Sequence, residues 1–327
     1  MIGAVIAKPV FNLSDDACQQ LFEILGKMEL VLVSEDMGGM FFISNAWRIP
    51  ASKVISIGRI SEKNYPLRFH EFVETAYSNG AEIIVTVGGD GIASYTATAI
   101  IGQNIKSLGV LGFPAGTGNV GPIVKHDHNG KSLLKKTPVD SIEVSCGGRI
   151  LGYGFNDVII GRNFLGTLNG KCVNLSAHAM AEKGIALQNP VEDKEVVGSN
   201  FGILLNGREI SGIPSVPIKQ ICISTLQQDN LYGRAVFGGL SESYGFKHPA
   251  ALALLDKISN DARSETWGMK EIRVTSHLCF DETDTVQLLG IDEDCCVIID
   301  GNPFEIKGGP VILRCVPGSI LVYGNWR

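Results

Sequence analysis

The sequence predicts an α/β protein in two parts, a parallel-sheet domain over residues 1–138 and a β-rich, sandwich-like domain over residues 139–327. Three observations carry this prediction. Up to about Gly112, short β-branched runs alternate with amphipathic helical stretches, the pattern of right-handed crossovers in a mainly parallel sheet. From Pro138 onward helical periods become scarce, and short apolar runs are punctuated by Gly and Pro turns. The chain has 327 residues, 45% of them hydrophobic and 19% charged, which is long enough for two cores rather than one.

The first half reads in order. Ile2–Ala7 is strand-like. Ser14 can cap a helix that opens with Asp15 and Asp16 at the positive end of its dipole, places Ala17, Leu21, Ile24 and Leu25 on one face, and ends at Gly26. Leu30–Val33 is a second strand. Residues 36–60 are poorly patterned, with a turn at Gly38-Gly39 and a strand near Val54–Ile57. Pro66 suits the first helical position, and Phe69, Phe72, Val73 and Ala76 supply the apolar face of a helix closed by Asn79-Gly80. A strand over Ile83–Val87, a helix over Ile92–Ile101 and a strand over Leu108–Gly112 complete a Rossmann-like domain.

The stretch that organises this domain is Gly88-Gly89-Asp90-Gly91, directly after the strand Ile83–Val87. The glycines permit a sharp turn and let a ligand approach main-chain N–H groups. Asp90 would sit at the carboxyl end of a strand, where open α/β sheets place their chemistry, and the following helix would aim its N-terminus at an anion such as a phosphate. Read without chemistry, the same residues make a tight turn with Asp90 as helix N-cap.

A second glycine loop, Pro114 to Gly121, follows the next strand. Gly116, Gly118 and Gly121 satisfy the dinucleotide fingerprint, which raises an NAD-dependent dehydrogenase, but Pro122 and the polar run Lys125–Gly130 stand where that fingerprint needs a helix. Gly130-Lys131-Ser132 ends like a phosphate-binding P-loop without its first glycine or preceding strand. His126-Asp127-His128 has no third metal ligand spaced nearby, and His178, His248 and His277 form no constellation, so no metal site is assigned to protein side chains. Asp292-Glu293-Asp294 reads as a solvated turn.

Candidate strands of the second half are Ser141–Ser145, Arg149–Phe155, Val158–Ile160, Lys171–Leu175, Phe201–Leu205, Gln220–Ser224, Glu271–Thr275, Thr285–Leu288, Cys296–Ile299 and Val311–Val316. One helix is expected, over residues 249–262. Two domains of different class would form a cleft between them, a common place for ligands.

Net charge −6 and the absence of any basic run longer than Lys135-Lys136 argue against nucleic acid or an anionic membrane as partner. No apolar stretch is long enough to span a bilayer. Eight scattered cysteines without metal spacing suit reduced, mostly buried thiols in a cytoplasmic protein.

Taken together, Gly88–Gly91 after a strand, Gly116-Thr117-Gly118-Asn119 after the next, and a β-rich second half resemble the NAD kinase and diacylglycerol kinase superfamily. Within it the chain is most similar to the NAD-kinase-like acetoin-catabolism protein X branch. Phe155-Asn156-Asp157-Val158 resembles the family's Asn-acid motif, the region from Ile223 through Tyr232 to Gly239 its Ser/Thr-Gly-rich motif, and Ile299-Asp300-Gly301 its closing segment. The resemblance implies an NAD kinase-like fold and ATP- or polyphosphate-dependent phosphoryl transfer to a hydroxyl of NAD or another small molecule, with Mg²⁺. It also implies association into homo-oligomers. Carried over, Asp90 is the catalytic carboxylate; Gly88, Gly89, Gly91, Gly116, Thr117, Gly118 and Asn119 bind phosphate; Asn156, Asp157 and Tyr232 bind the acceptor. Two departures stand out. Ile92 replaces the usual Thr, and Gln227-Gln228-Asp229 replaces a small glycine turn. Both leave room for a different role, a nucleotide-binding accessory or sensor protein with little catalysis.

Overall fold

The structure is a computed structural model that describes residues 1–7, 13–39, 42, 50–115, 121–124, 135–168, 171–191, 194–213, 216–226, 247–258 and 274–324. The chain divides into two compact units, Met1–Val139 with Gly318–Arg327, and Asp140–Pro317.

The first unit is built on strands β1 (Ile2–Ala7), β2 (Leu30–Val33), β3 (Val54–Ser56), β4 (Ile83–Gly88) and β5 (Gly109–Pro114). They pair in parallel in the order β3-β2-β1-β4-β5. The final residues of the chain's last strand, Leu321 and Val322, add a parallel neighbour to β5. This is the doubly wound order, with its switch point between β1 and β4. Helix α1 (Asp15–Gly26) is capped as its sequence predicts, Ser14 Oγ accepting from the Ala17 N–H at 3.2 Å. Helix α2 (Tyr65–Ser78) carries Pro66 in its first turn and buries Phe69, Phe72, Val73 and Ala76. Helix α3 (Asp90–Gly102) begins two residues earlier than its apolar pattern predicts and packs against α2, the rings of Phe69 and Tyr95 stacking 5.2 Å apart. β4 is buried at all six positions, because strands flank it and the apolar core of Val5, Leu21, Leu25, Val33 and Phe113 covers it.

The second unit is all but entirely β. After β6 (Lys136–Cys146) and β7 (Arg149–Gly154) come β8 (Val158–Gly161), β9 (Asn163–Leu168) and β10 (Lys171–Ser176), the helix α4 (Ala177–Lys183), then β11 (Val197–Leu205) and β12 (Arg208–Glu209). There follow β13 (Gln220–Thr225), β14 (Ala250–Leu255), β15 (Val274–Phe280), β16 (Val286–Ile291), β17 (Cys296–Ile299), β18 (Asn302–Glu305) and β19 (Val311–Tyr323). One antiparallel sheet runs β15-β14-β13-β8-β17-β18. Its inner face packs Val158, Ile160, Ile221, Ile223, Leu252 and Val297 against Ile142, Val144, Ile203, Leu288 and Leu313 from β6, β11, β16 and β19. That is the sandwich the alternating runs predict.

The predicted helix over 249–262 is instead strand β14 as far as Leu255, and residues 259–273 lie outside the described residues. Ala250–Leu255 is buried at every position. Leu252 and Leu254 face the sandwich core, whereas Ala251, Ala253 and Leu255 face a second cluster with Phe164, Leu175 and Ala177 of β9, β10 and α4. A strand covered on both faces loses its alternation and reads as a continuous apolar run. Pairing with β13 and β15 then overrides the helix propensity of Ala and Leu. The strand expected at Glu271–Thr275 is described only from Val274. Strands β9 and β18 and helix α4 were not foreseen.

Five of the eight cysteines are buried and Cys172 is exposed. Burial pushes the Cys295, Cys296 and Cys315 thiols up to about 12 each. Thiolate is the reactive form. Iodoacetamide at pH 8 should therefore label Cys172 in the native protein and spare these three until denaturant unfolds the chain. Peptide mapping that finds all four labelled at one rate in native protein would contradict this fold.

Candidate functional site

The site in the first unit grows from the end of β4. A buried parallel strand must release the chain at its carboxyl edge, and here it does so through Gly88 and Gly89 into α3. Gly89 is the N-cap, and no side chain caps the helix. Asp90 is thus the first helical residue, not the cap that a purely structural reading would make it. The residue is half-buried, and its Oδ1 is enclosed by protein. A negative charge in the first turn is favoured by the helix dipole.

Asp90 Oδ2 accepts a hydrogen bond from the Gly121 N–H at 3.0 Å. The other end of that loop is held too: the Ala115 N–H donates to Gly88 O at 2.9 Å, and β4 and β5 stay paired as far as Gly88 and Pro114. Beyond the loop, Val124 bridges back in parallel to Gly112. A Cβ on Gly112 would lie 2.5 Å from Ile123 O and 2.8 Å from Val124 Cα, so only glycine lets the returning chain lie this close to β5. The two glycine loops predicted as separate motifs therefore start and finish on each other. Gly116, Thr117, Gly118 and Asn119 themselves lie outside the described residues, as do Tyr232, Gln227–Asp229 and His126–His128. Gly121, which the fingerprint reading assigned to a dinucleotide, serves here as the donor to Asp90.

Ile92, the departure from the usual Thr, is 8% exposed and lies against Gly88, where a Cβ would meet its Cδ1 at 3.0 Å. This position fills space under the turn with hydrocarbon.

The second predicted motif, Asn156-Asp157, lies in the turn between β7 and β8 in the second unit. Asn156 is 6% exposed and Asp157 half-buried, and Asn156 Nδ2 donates to Asp157 Oδ2 at 2.9 Å. The turn is gripped by Asp300. Its Oδ2 accepts from the Phe155 N–H at 2.9 Å, and its Oδ1 accepts from the N–H groups of Asn156 at 2.8 Å and Asp157 at 3.0 Å. Its own N–H donates to Asp157 O at 3.0 Å. From another strand, Ser224 Oγ donates to Asn156 O at 2.7 Å. Asp300 can do this because Asp300 and Gly301 both take positive φ, 47° and 81°, in a two-residue hairpin turn between β17 and β18.

Sequence reasoning placed Asp300 in a family motif without giving it this task. The signal was present: Asp-Gly between two apolar runs is a strong short-range hairpin sign. It also missed a pair formed by His248 and Asp140, whose bond of 2.8 Å overturns the reading of His248 as belonging to no constellation. Asp292 is an ion-pair partner of Arg162 at 2.9 Å rather than a merely solvated turn residue. Among the described residues no helix is long and apolar enough to cross a membrane.

Comparison with known proteins follows from this geometry. Residues 52–130, which contain both glycine loops, match the diacylglycerol kinase catalytic domain. The whole chain superposes on yeast NADH kinase complexed with NADH, with a TM-score of 0.52, 12% identity, and 99% of this chain and 83% of that one covered. It also superposes on an NAD kinase from Archaeoglobus fulgidus in complex with ATP, with a TM-score of 0.50, 12% identity and coverage of 99% and 94%. The chain shares the fold of these two kinases, and its residues 52–130 are similar to the diacylglycerol kinase catalytic domain. An uncharacterized protein of Archaeoglobus fulgidus is 26% identical over 301 residues, 90% of this chain and 91% of that protein. The matched catalytic-domain segment ends before the second unit begins.

The Asp300 grip has a measurable weight. Asp300→Ala strips three main-chain donors of their acceptor and should cost about 3 kcal/mol or more in urea unfolding with an unchanged slope. Asp300→Asn, which keeps one acceptor oxygen and tolerates positive φ, should cost clearly less. Equal stability of Asp300→Ala and the native protein would show that the grip contributes nothing.

Proposed function

We propose that the protein is an ATP-dependent phosphotransferase acting on a hydroxyl of NAD or of another small nucleotide, with acetoin catabolism as the pathway the sequence resemblance suggests. One observation carries the reading: a carboxylate stands on a glycine turn at the carboxyl end of the central parallel strand, bonded to a second glycine loop. An alcohol that attacks a phosphoryl group must lose its proton, and the developing charge needs main-chain donors. Asp90 is the group that takes the proton. The N–H groups of the two glycine loops hold the transferring phosphate, as helix N-termini and glycine-rich turns do.

Asn156 and Asp157 hold hydroxyls of the acceptor's sugar, since an adjacent amide and carboxylate offer both donor and acceptor capacity. Mg²⁺ keeps several waters and takes substrate phosphates as ligands, so it would arrive held by the phosphates of ATP, and Asp90 keeps its role as the base. When bound with ATP, the ion supplies charge neutralisation at the phosphoryl oxygens. ATP is the favoured donor and polyphosphate the substitute.

Asp90→Asn separates chemistry from structure. Its side-chain oxygen can still accept from the Gly121 N–H, so the melting temperature should stay within a few degrees, while turnover of NAD to NADP with ATP and Mg²⁺ should fall about 10²-fold or more. Unaltered turnover would remove Asp90 from the mechanism.

A second reading rests on Ile92. Where a hydroxyl could reach a phosphate, the turn is backed by a buried hydrocarbon side chain, which suits a protein that binds nucleotide as a sensor with little transfer. A thermal-shift screen with NAD, NADP, ATP and ADP, run beside the transfer assay, separates the two: stabilisation without transfer favours the sensor.

A further inference from the structure

The His248–Asp140 pair lies outside every motif that the sequence or the superfamily match singles out. Asp140 is fully buried, yet it is a carboxylate, and a buried carboxylate is costly without a partner. The pair is closed by a 2.8 Å bond between Asp140 Oδ2 and His248 Nδ1, and the His248 side chain keeps 23% of its surface exposed. An ionised carboxylate only accepts hydrogen bonds, so the proton of this bond sits on Nδ1, and Nε2 is the nitrogen left to meet a ligand.

Strand register places both residues at the end of the second unit that carries Asn156 and Asp157. On β6 and β7, Ile142 pairs with Gly154. Asp140 stands two residues before Ile142, and Asn156 two residues after Gly154, so both lie at the same end of the β6–β7 pair. On β13 and β14, Thr225 pairs with Ala250, and the Leu226 N–H donates to Pro249 O at 2.8 Å. His248 therefore stands two residues before Ala250, past the end of β13, the strand whose Ser224 hydroxyl bonds Asn156 O.

The charges at this end have a definite arrangement. Asp300 spends its carboxylate on three main-chain N–H groups, Asp157 accepts from the Asn156 amide, and Asp140 holds the imidazole. Among the side chains these bonds join, His248 is the one able to carry positive charge. An Nε2–H on an imidazole held at Nδ1 by a carboxylate is a donor suited to an anion.

We infer that His248, oriented by Asp140, donates a hydrogen bond to a phosphate oxygen of the acceptor nucleotide at the end of the second unit that carries Asn156 and Asp157. The inference rests on the reading of Asn156 and Asp157 as the acceptor's sugar site, because a nucleotide's phosphate is one sugar away from its ribose hydroxyls. His248 is then a binding residue and Asp140 a positioning residue.

The test is calorimetric binding of adenosine, AMP, NAD and inorganic pyrophosphate to the full chain and its variants, without a transfer step. His248→Ala would take the imidazole from the buried Asp140 carboxylate and destabilise the protein. His248→Asn is used instead, because its amide nitrogen takes the place of Nδ1 and keeps Asp140 paired while Nε2 is lost. It should weaken AMP and NAD about tenfold or more and leave adenosine unchanged. Asp140→Asn should weaken the same two ligands by a smaller factor. A merely structural pair would not separate phosphorylated from unphosphorylated ligands. Pyrophosphate binding lost in step with AMP places the contact on phosphate itself.

Equal weakening of adenosine and AMP, no weakening of either, or no binding of any phosphorylated ligand by the native protein overturns the inference. Phosphate-dependent binding lost in His248→Asn without any transfer activity in the native protein keeps this inference and removes the kinase reading. Transfer to NAD with an unaltered KM in His248→Asn does the reverse.

Discussion

The hydrogen bond from the Gly121 main chain to Asp90 is the constraint on which the first unit's site depends. It makes one side chain answerable to two loops. Gly88 O holds the start of the second loop through Ala115, and Asp90 holds its finish. The tight return past Gly112 leaves the chain nowhere else to go. A carboxylate bonded in this way has its rotamer fixed before any ligand arrives, and that is preorganisation in the sense that matters for catalysis. The second unit repeats the principle with different parts: there a carboxylate from one hairpin, Asp300, shapes the turn that presents Asn156 and Asp157.

Much of this was legible in the residues. β1 to β5 and the helices between them follow the apolar periods, and the cap at Ser14 sits where its chemistry places it. The Gly88–Gly91 turn falls at the end of a strand and the start of a helix, as its glycines require. β14 was illegible for a physical reason. Ala251, Ala253 and Leu255 are covered by β9, β10 and α4, so the strand has no polar face, and nothing local distinguishes it from a helix.

Side-chain partnerships across long sequence distances were the other loss. Asp140 and His248 are 108 positions apart, and Asp300 reaches residues more than 140 positions away. Local pattern carries no information about such pairs; register does. Once β6 is paired with β7 and β13 with β14, Asp140 and His248 both fall at the end of the unit that carries the Asn156 turn. The motif readings could name what stands at a turn, and they could not name what holds the turn in shape.

The division of the chain has a consequence for its biogenesis. Residues Asp140–Pro317 are an insertion within the first unit, which is completed only by Gly318–Arg327. On the ribosome the inserted β unit emerges whole while the parallel sheet still lacks the neighbour of β5 supplied by Leu321 and Val322. The earlier-translated half must wait, with one edge of its sheet open, for the later one to finish.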